Sequence, residues 1–225
     1  VSIPGNAIDD ASKIIVKVYP GIFSQIVEGL DSILRMPSGC FEQTSSTTYP
    51  NVLVLDYMKQ VNQITPEIQM KAESFINTGY QRLLSYEVQG GGFEWFGRAP
   101  AHKILTAYGL MEFYDMAQVH DVDPNVIART QQWLVSQQEK EGPWKPAKEY
   151  LDVVAAKFSD DVMRNTAYIT WALVSSGYKG EAVKKAVTYI QKNIDTIKDT
   201  YTLALVANAL VLYNAEGAET QKLLE

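Results

Sequence analysis

The chain holds one cysteine, Cys40, inside the run Pro37-Ser38-Gly39-Cys40-Phe41-Glu42-Gln43. A single cysteine excludes an internal disulfide and a cysteine-rich zinc site, and leaves either an inert packed thiol or a reactive one. The neighbours of Cys40 favour the reactive reading. Gly39 frees the backbone just before the thiol for dihedral angles that other residues avoid. A helix beginning near Thr44 would aim its unsatisfied N–H groups back at the loop, where they favour developing negative charge. A thiol nucleophile with His102 as its base is one chemistry these residue types allow, but no third group to orient the histidine is evident. His102 and His120 are the only histidines, and two isolated imidazoles do not make a metal site. No metal or cofactor is expected.

The elements that must position Cys40 are helical. Phe23, Val27, Leu30 and Leu34 share one helical face over residues 21–36. Further helices are expected over 44–60, 66–87, 101–119, 123–138, 161–177, 179–193 and 199–214. Asp123-Pro124 supplies a capping residue followed by proline at the first helical position, Asp160-Asp161 should cap the 161–177 helix, and Gly177 and Gly217 suit helix ends. Residues 217–225 read like one more helix beginning. Residues 1–20 differ: Ile14, Val16 and Val18 alternate with other residues as in a strand, so an extended arm or the end of a preceding β domain is expected there.

The sequence also repeats weakly. "SYEVQGGGFEW" (85–95) is echoed by "SQQEKEGPW" (136–144), and each precedes a helix with a Thr-Ala-Tyr core, "LTAYGLMEF" (105–113) and "NTAYITWAL" (165–173). "YTLALVANAL" (201–210) is a third candidate copy. Hairpins that cannot bury their faces alone must stack. The expected fold is all-α: an α/α toroid of helical hairpins over 21–225, with an incomplete ring and an extended arm at 1–20.

Bulk properties bound the function. The 225 residues are 46% hydrophobic, enough for one sizeable core. The net charge is −6 and no basic patch occurs, which argues against nucleic acid as a partner. No apolar run approaches the ~20 residues of a membrane span. The chain begins at Val1 without a basic-then-apolar leader, and a piece of a longer or processed chain is the simplest expectation.

"PSGCFEQ" resembles the Gly-Cys-x-Glu-Gln thioester motif of the alpha-2-macroglobulin family, which includes the thioester-containing complement proteins. "YPNVLVLDYM" (49–58), "RAPAHKILTAYGL" (98–110) and "NTAYITWAL" (165–173) resemble later family segments in register with it. The resemblance implies a thioester between the Cys40 sulfur and the acyl carbon of Gln43, formed with loss of ammonia; Cys-x-x-Gln lets a compact turn bring the two together. Glu42 would either assist proton transfer or orient the loop. The resemblance further implies a single-use covalent trap for proteases, without catalytic turnover, within a larger extracellular or periplasmic inhibitor whose neighbouring β domains help shield the bond. Water competes with the intended nucleophile, so the site must stay dry until triggered. Phe41, Tyr49, Trp95 and Trp144 are candidates for that shield, beside Phe93 and Phe96, and His102 is a candidate for approaching the bond.

Complement-type relatives carry a histidine beyond a Gly-x-aromatic turn. That turn corresponds to Gly142-Pro143-Trp144, and an ungapped count places the histidine position at Asp152; no histidine occurs between 121 and 225. The pattern resembles the alpha-macroglobulin type, in which amines, such as protease lysines, attack directly. Other readings are a helical interaction module whose thioester never forms, and a toroid enzyme of terpene-cyclase type. Gln138-x-x-x-Gly142-x-Trp144 fits the repeat of the latter, but its Asp-rich acid motif is absent.

Overall fold

The computed structural model of the protein describes residues 33–62, 64–146 and 161–224, together with Pro4, Lys13, Ile15, Val16, Val18 and Gly29. Most of the expected arm over 1–20, most of the expected 21–36 helix and the position Asp152 lie outside the described residues. The described residues form helices α1 (Phe41–Gln60), α2 (Pro66–Leu84), α3 (Lys103–Met116), α4 (Pro124–Ser136), α5 (Val162–Ser175), α6 (Glu181–Asn193), α7 (Thr200–Asn214) and α8 (Ala218–Leu224). A short antiparallel pair, β1 (Glu87–Val88) with β2 (Gly92–Phe93), joins α2 to α3.

The helices start where their capping chemistry says they should. Thr65, Asp123, Asp161 and Asp199 each accept a backbone N–H of the first turn that follows, at 3.3, 2.9, 2.8 and 2.9 Å. Pro66 and Pro124 occupy first helical positions, where a missing N–H is no loss. The segment expected as helix to residue 87 stops at Leu84, because Gly90 and Gly91, both at positive φ, turn the chain into the β1–β2 hairpin. Arg129 of α4 then grips Glu87 through paired contacts of 2.6 and 2.7 Å.

The fold is all-α in two layers. α1, α3, α5 and α7 pack side by side in series, while α2, α4, α6 and α8 back them one by one. The composition of each layer explains its place. α5 is buried on several faces, through Met163, Thr166, Ile169, Thr170 and Leu173. α6 buries only Ala182, Val183, Ala186, Val187 and Ile190, and leaves Lys184 and Lys185 in solvent. α3 bridges both apolar clusters, giving Phe113 and Met116 to one and Ala107 and Leu110 to the other. Successive inner–outer hairpins of this kind fit the expected α/α toroid without contradiction. Because every outer helix returns the chain, the inner helices run parallel and present their N-terminal ends on one side.

The repeats read from the sequence carry equivalent jobs. Phe93 N–H donates to Thr106 Oγ1 at 2.8 Å, and Trp144 N–H donates to Thr166 Oγ1 at 3.1 Å. Gly91 and Gly142 both adopt positive φ, and a Cβ on either would strike a backbone carbonyl of the adjacent outer helix, Arg129 at 2.6 Å and Lys185 at 2.5 Å. Only glycine permits both the dihedral and the approach.

The candidate thioester site

Cys40 stands at the N-cap of α1, so the helix begins at Phe41 rather than near Thr44. The earlier start has a local cause. Cys40 and Gln43 form a reciprocal capping box: the Cys40 side chain faces the Gln43 backbone N–H, and Cys40 N–H donates to Gln43 Oε1 at 3.2 Å. The motif normally pairs Ser or Thr with Glu or Gln three residues on, and here a thiol takes the hydroxyl's place. The spacing that closes a helix N-terminus is therefore the spacing that gathers sulfur and carboxamide into one turn.

The turn is fixed from several directions. Gly39 has φ +87°, and a Cβ there would overlap the Gln43 side chain. Its carbonyl accepts from Tyr86 OH at 2.5 Å and from Arg82 Nη2 at 2.9 Å. Upstream, the buried Asn51 side chain holds both backbone groups of Arg35, at 3.1 and 2.8 Å. Thr44 Oγ1 lies 3.4 Å from the carbonyls of Ser38 and Gly39, a weak contact from the polar run 44–48.

The sequence-predicted residues divide by location. Phe41 is fully buried, with its ring 5.3 Å from that of Phe93 and its edge in the gap left by Gly109; it anchors the turn into the core. Phe41 N–H donates to the Trp95 carbonyl at 2.9 Å, which brings Trp95 beside the turn. The Trp95 ring meets His102 at 4.8 Å. His102 is the N-cap of α3, where its Nδ1 accepts from Leu105 N–H at 3.2 Å. Burial lowers its pKa to about 4, against the pull of Glu94, so the ring is neutral. Glu42 and Gln43 are solvent-exposed, and Cys40 is half-buried.

Tyr49 and Trp144 lie elsewhere. Tyr49 is nine residues along α1, ~13 Å by helical rise, and its hydroxyl donates to Asp115. Trp144 is fully buried in the cluster built by α3 to α7, and its indole N–H donates to the Leu134 carbonyl at 2.7 Å. Phe96 is exposed.

Arg82, Tyr86 and Glu112 belong to the site or its support and were not singled out from the sequence. Arg82 and Tyr86 approach Gly39 across 43 and 47 residues, so no local pattern announces them. Glu112 is completely buried on α3, and burial raises its pKa to about 8 while the Ser45 hydroxyl of α1 draws it back. An acid inside the apolar stretch "GLMEF" was the available signal.

Chemically, the turn offers a sulfur nucleophile and an acyl group already hydrogen-bonded at its oxygen. Phe41 N–H is engaged by Trp95, so Cys40 N–H is the donor that can follow the Gln43 oxygen as it gains negative charge in a tetrahedral intermediate.

Comparison with known proteins places the chain in a family. Residues 12–225 match the family model described as the A-macroglobulin TED domain. The chain is 27% identical over 217 residues to ovostatin of Gallus gallus, an alignment covering 94% of this chain and 15% of ovostatin. The chain thus spans about 15% of the length of that curated relative. Among the described residues no helix is long and apolar enough to cross a membrane. The match across nearly the whole sequence, over a fold whose first inner helix is capped by a cysteine and a glutamine in one turn, means that this chain belongs to the A-macroglobulin TED domain family and is a thioester domain of an alpha-macroglobulin protein.

Proposed function

We propose that Cys40 and Gln43 form an internal thioester that captures proteins covalently, most directly proteases, on behalf of a larger inhibitor. The observation that carries this reading is the capping box, which holds the Gln43 carbonyl on Cys40 N–H at 3.2 Å with both residues reachable from solvent. In the forming step the Cys40 sulfur adds to the Gln43 carboxamide carbon, the C–N bond breaks, and the nitrogen leaves as ammonia with the thiol proton. In the capturing step a primary amine adds to the same carbon and the Cys40 thiolate leaves. Each site acts once, so this is a trap without turnover.

Exposure of the pair on this domain fits a bond shielded by neighbouring β domains of a longer chain. An extracellular setting belongs to the same proposal; a periplasmic one gains nothing from a relative found in a bird. The absence of histidine after residue 120 supports direct attack by amines.

Intact mass before and after methylamine, with sequencing of the Cys40 peptide, tests the reading. The expected protein is lighter than its sequence by one ammonia, and methylamine adds to Gln43 while freeing the thiol. A mass equal to the sequence, with Cys40 titrating as free thiol and Gln43 intact both in this chain and in the full-length protein, would establish the non-reactive interaction module instead.

A further inference from the structure

The Gly39 carbonyl and the Cys40 N–H are the two ends of one peptide group, and both ends are engaged. Cys40 N–H donates to Gln43 Oε1 at 3.2 Å. The carbonyl accepts from Arg82 Nη2 at 2.9 Å and from Tyr86 OH at 2.5 Å, with Thr44 Oγ1 a weak third at 3.4 Å. We propose that Arg82 is a positioning residue for the chemistry at Gln43: its guanidinium polarises this peptide, so that Cys40 N–H steadies the negative charge that gathers on the Gln43 oxygen. The role rests on the thioester reading for its chemistry, but the polarisation can be tested without it.

The guanidinium reaches the Gly39 carbonyl by two routes. Nη2 donates to it directly, and Nη2 also meets Tyr86 OH at 3.1 Å, which donates to the same oxygen. A phenol beside a cation is the stronger donor, because hydrogen bonds in a chain polarise one another. A bond from a charged donor is roughly twice as strong as a neutral one. Peptide resonance carries the effect across the group: electron density drawn to the carbonyl oxygen leaves the amide nitrogen poorer and its proton a better donor.

The charge is not neutralised elsewhere. Arg129 meets Glu87 at 2.6 Å and Arg164 meets Asp199 at 3.5 Å. Among the described residues no ion pair involves Arg82, and its Nε is buried without a hydrogen-bond partner. A cation held by neutral acceptors and partly out of water keeps its field. Pinning the turn would not need it, since Tyr86 holds the same oxygen by the shorter bond.

In the capturing step a neutral primary amine adds to the Gln43 acyl carbon, and the carbonyl electron pair moves onto the oxygen that Cys40 N–H holds. The pair then returns, the C–S bond breaks, and the sulfur leaves as thiolate. The thiolate takes the proton that the amine nitrogen sheds, which gives a secondary amide on Gln43 and a free thiol. The forming step passes through the same oxyanion with ammonia as the leaving group. Both steps should therefore respond to Arg82.

Two measurements test this. First, in Cys40→Ala, where no thioester can form, the Gly39 carbonyl carbon and the residue 40 amide proton are followed by NMR. Adding Arg82→Met should move both resonances upfield, and Arg82→Lys should recover part of the change. An amide proton that stays in place overturns the polarisation, whatever the mass of the wild-type protein shows. Second, in protein that has lost ammonia, methylamine should react about tenfold more slowly with Arg82→Met than with wild type, a fraction of the roughly 10²–10³ lost with a whole oxyanion donor. Tyr86→Phe keeps the cation and should slow the reaction less, and Arg82→Lys should restore most of the rate. Where Arg82→Met does not lose ammonia, the same order among the variants is read in the rate of ammonia loss. Urea unfolding allows each rate to be compared at equal folded fraction. Tyr86→Phe as slow as Arg82→Met, or Arg82→Lys no faster than Arg82→Met, would leave Arg82 a pin for the turn and overturn its electronic role. The expected NMR changes in a chain whose wild type never loses ammonia would keep the polarised peptide and remove the trap.

Discussion

The Tyr86 hydroxyl donates to the Gly39 carbonyl at 2.5 Å, across 47 residues of sequence. This bond, with that of Arg82 to the same oxygen at 2.9 Å, fixes the peptide plane just before Cys40 and hence the direction of the Cys40 N–H that holds the Gln43 oxygen. Replacing Tyr86 with Phe removes the hydroxyl and keeps the ring against Phe41. The expected stability loss is about 0.5–1.5 kcal/mol, the usual net worth of one hydrogen bond. The fraction of molecules that lose ammonia should fall by more than that loss explains. Urea unfolding and intact mass on the same sample check the two effects separately.

Gly39→Ala should separate folding from chemistry. At φ +87° an alanine is strained by about 1–2 kcal/mol, which a domain of this size can absorb. Its Cβ would also displace the Gln43 side chain from Cys40 N–H. Circular dichroism should show the helical content retained, while the mass equals the sequence and one thiol titrates.

Gly109 lies inside α3, where alanine normally stabilises a helix by about 1 kcal/mol. Here the sign reverses. A Cβ would come to 2.8 Å of Phe41 Cζ, and Phe41 is completely buried between Phe93 and the helix. Overpacking a rigid ring costs about 1–3 kcal/mol, so Gly109→Ala should be less stable by thermal melting. Because Phe41 anchors the turn, the variant should also lose ammonia more slowly.

Legibility in the sequence followed the range of the interaction. Helix ends after residue 60 fell within about three residues of expectation because Thr65, Asp123, Asp161 and Asp199 act on the turn that follows them. The repeat of glycine, aromatic and threonine was visible because a stacked hairpin imposes the same close approach each time, at Gly91 and at Gly142. The start of α1 was misplaced by three residues because a cysteine is not a usual cap. The Gly39 clamp was invisible, since Arg82 and Tyr86 reach it only once α2 has packed on α1.

Trp144 offers a control for the shield. Its indole N–H to the Leu134 carbonyl, 2.7 Å, and its complete burial place it in the core built by α3 to α7. Trp144→Phe should destabilise the domain by about 0.5–1.5 kcal/mol through the loss of one buried hydrogen bond, since Gln137 N–H still reaches the Leu134 carbonyl at 3.1 Å. Hydrolysis of the Gln43 bond, followed by mass over time, should keep its wild-type rate among folded molecules. Faster hydrolysis at equal stability would give Trp144 a shielding role after all.

Glu112 makes stability depend on pH in a direction opposite to that of most carboxylates. Burial raises its pKa from the ordinary 4.5 to about 8, with Ser45 opposing, and the groups facing it are the phenols of Tyr49, Tyr108 and Tyr168. A folded pKa above the unfolded one means that the folded state binds more protons, so the contribution is full below about pH 4.5 and is lost as pH rises through about 8. Glu112→Gln keeps the shape of the protonated acid and cannot ionise. Between about pH 5 and about pH 8 the wild type should therefore lose urea stability relative to the variant, while other titrating groups cancel in the comparison. Because Ser45 stands on α1 two residues beyond Gln43, ionisation of Glu112 should loosen the contact between α1 and α3. Amide exchange in the first turn of α1 should then quicken over the same interval in the wild type and stay flat in Glu112→Gln. Parallel stability curves for the two proteins would mean that the buried acid finds a compensating partner when it ionises.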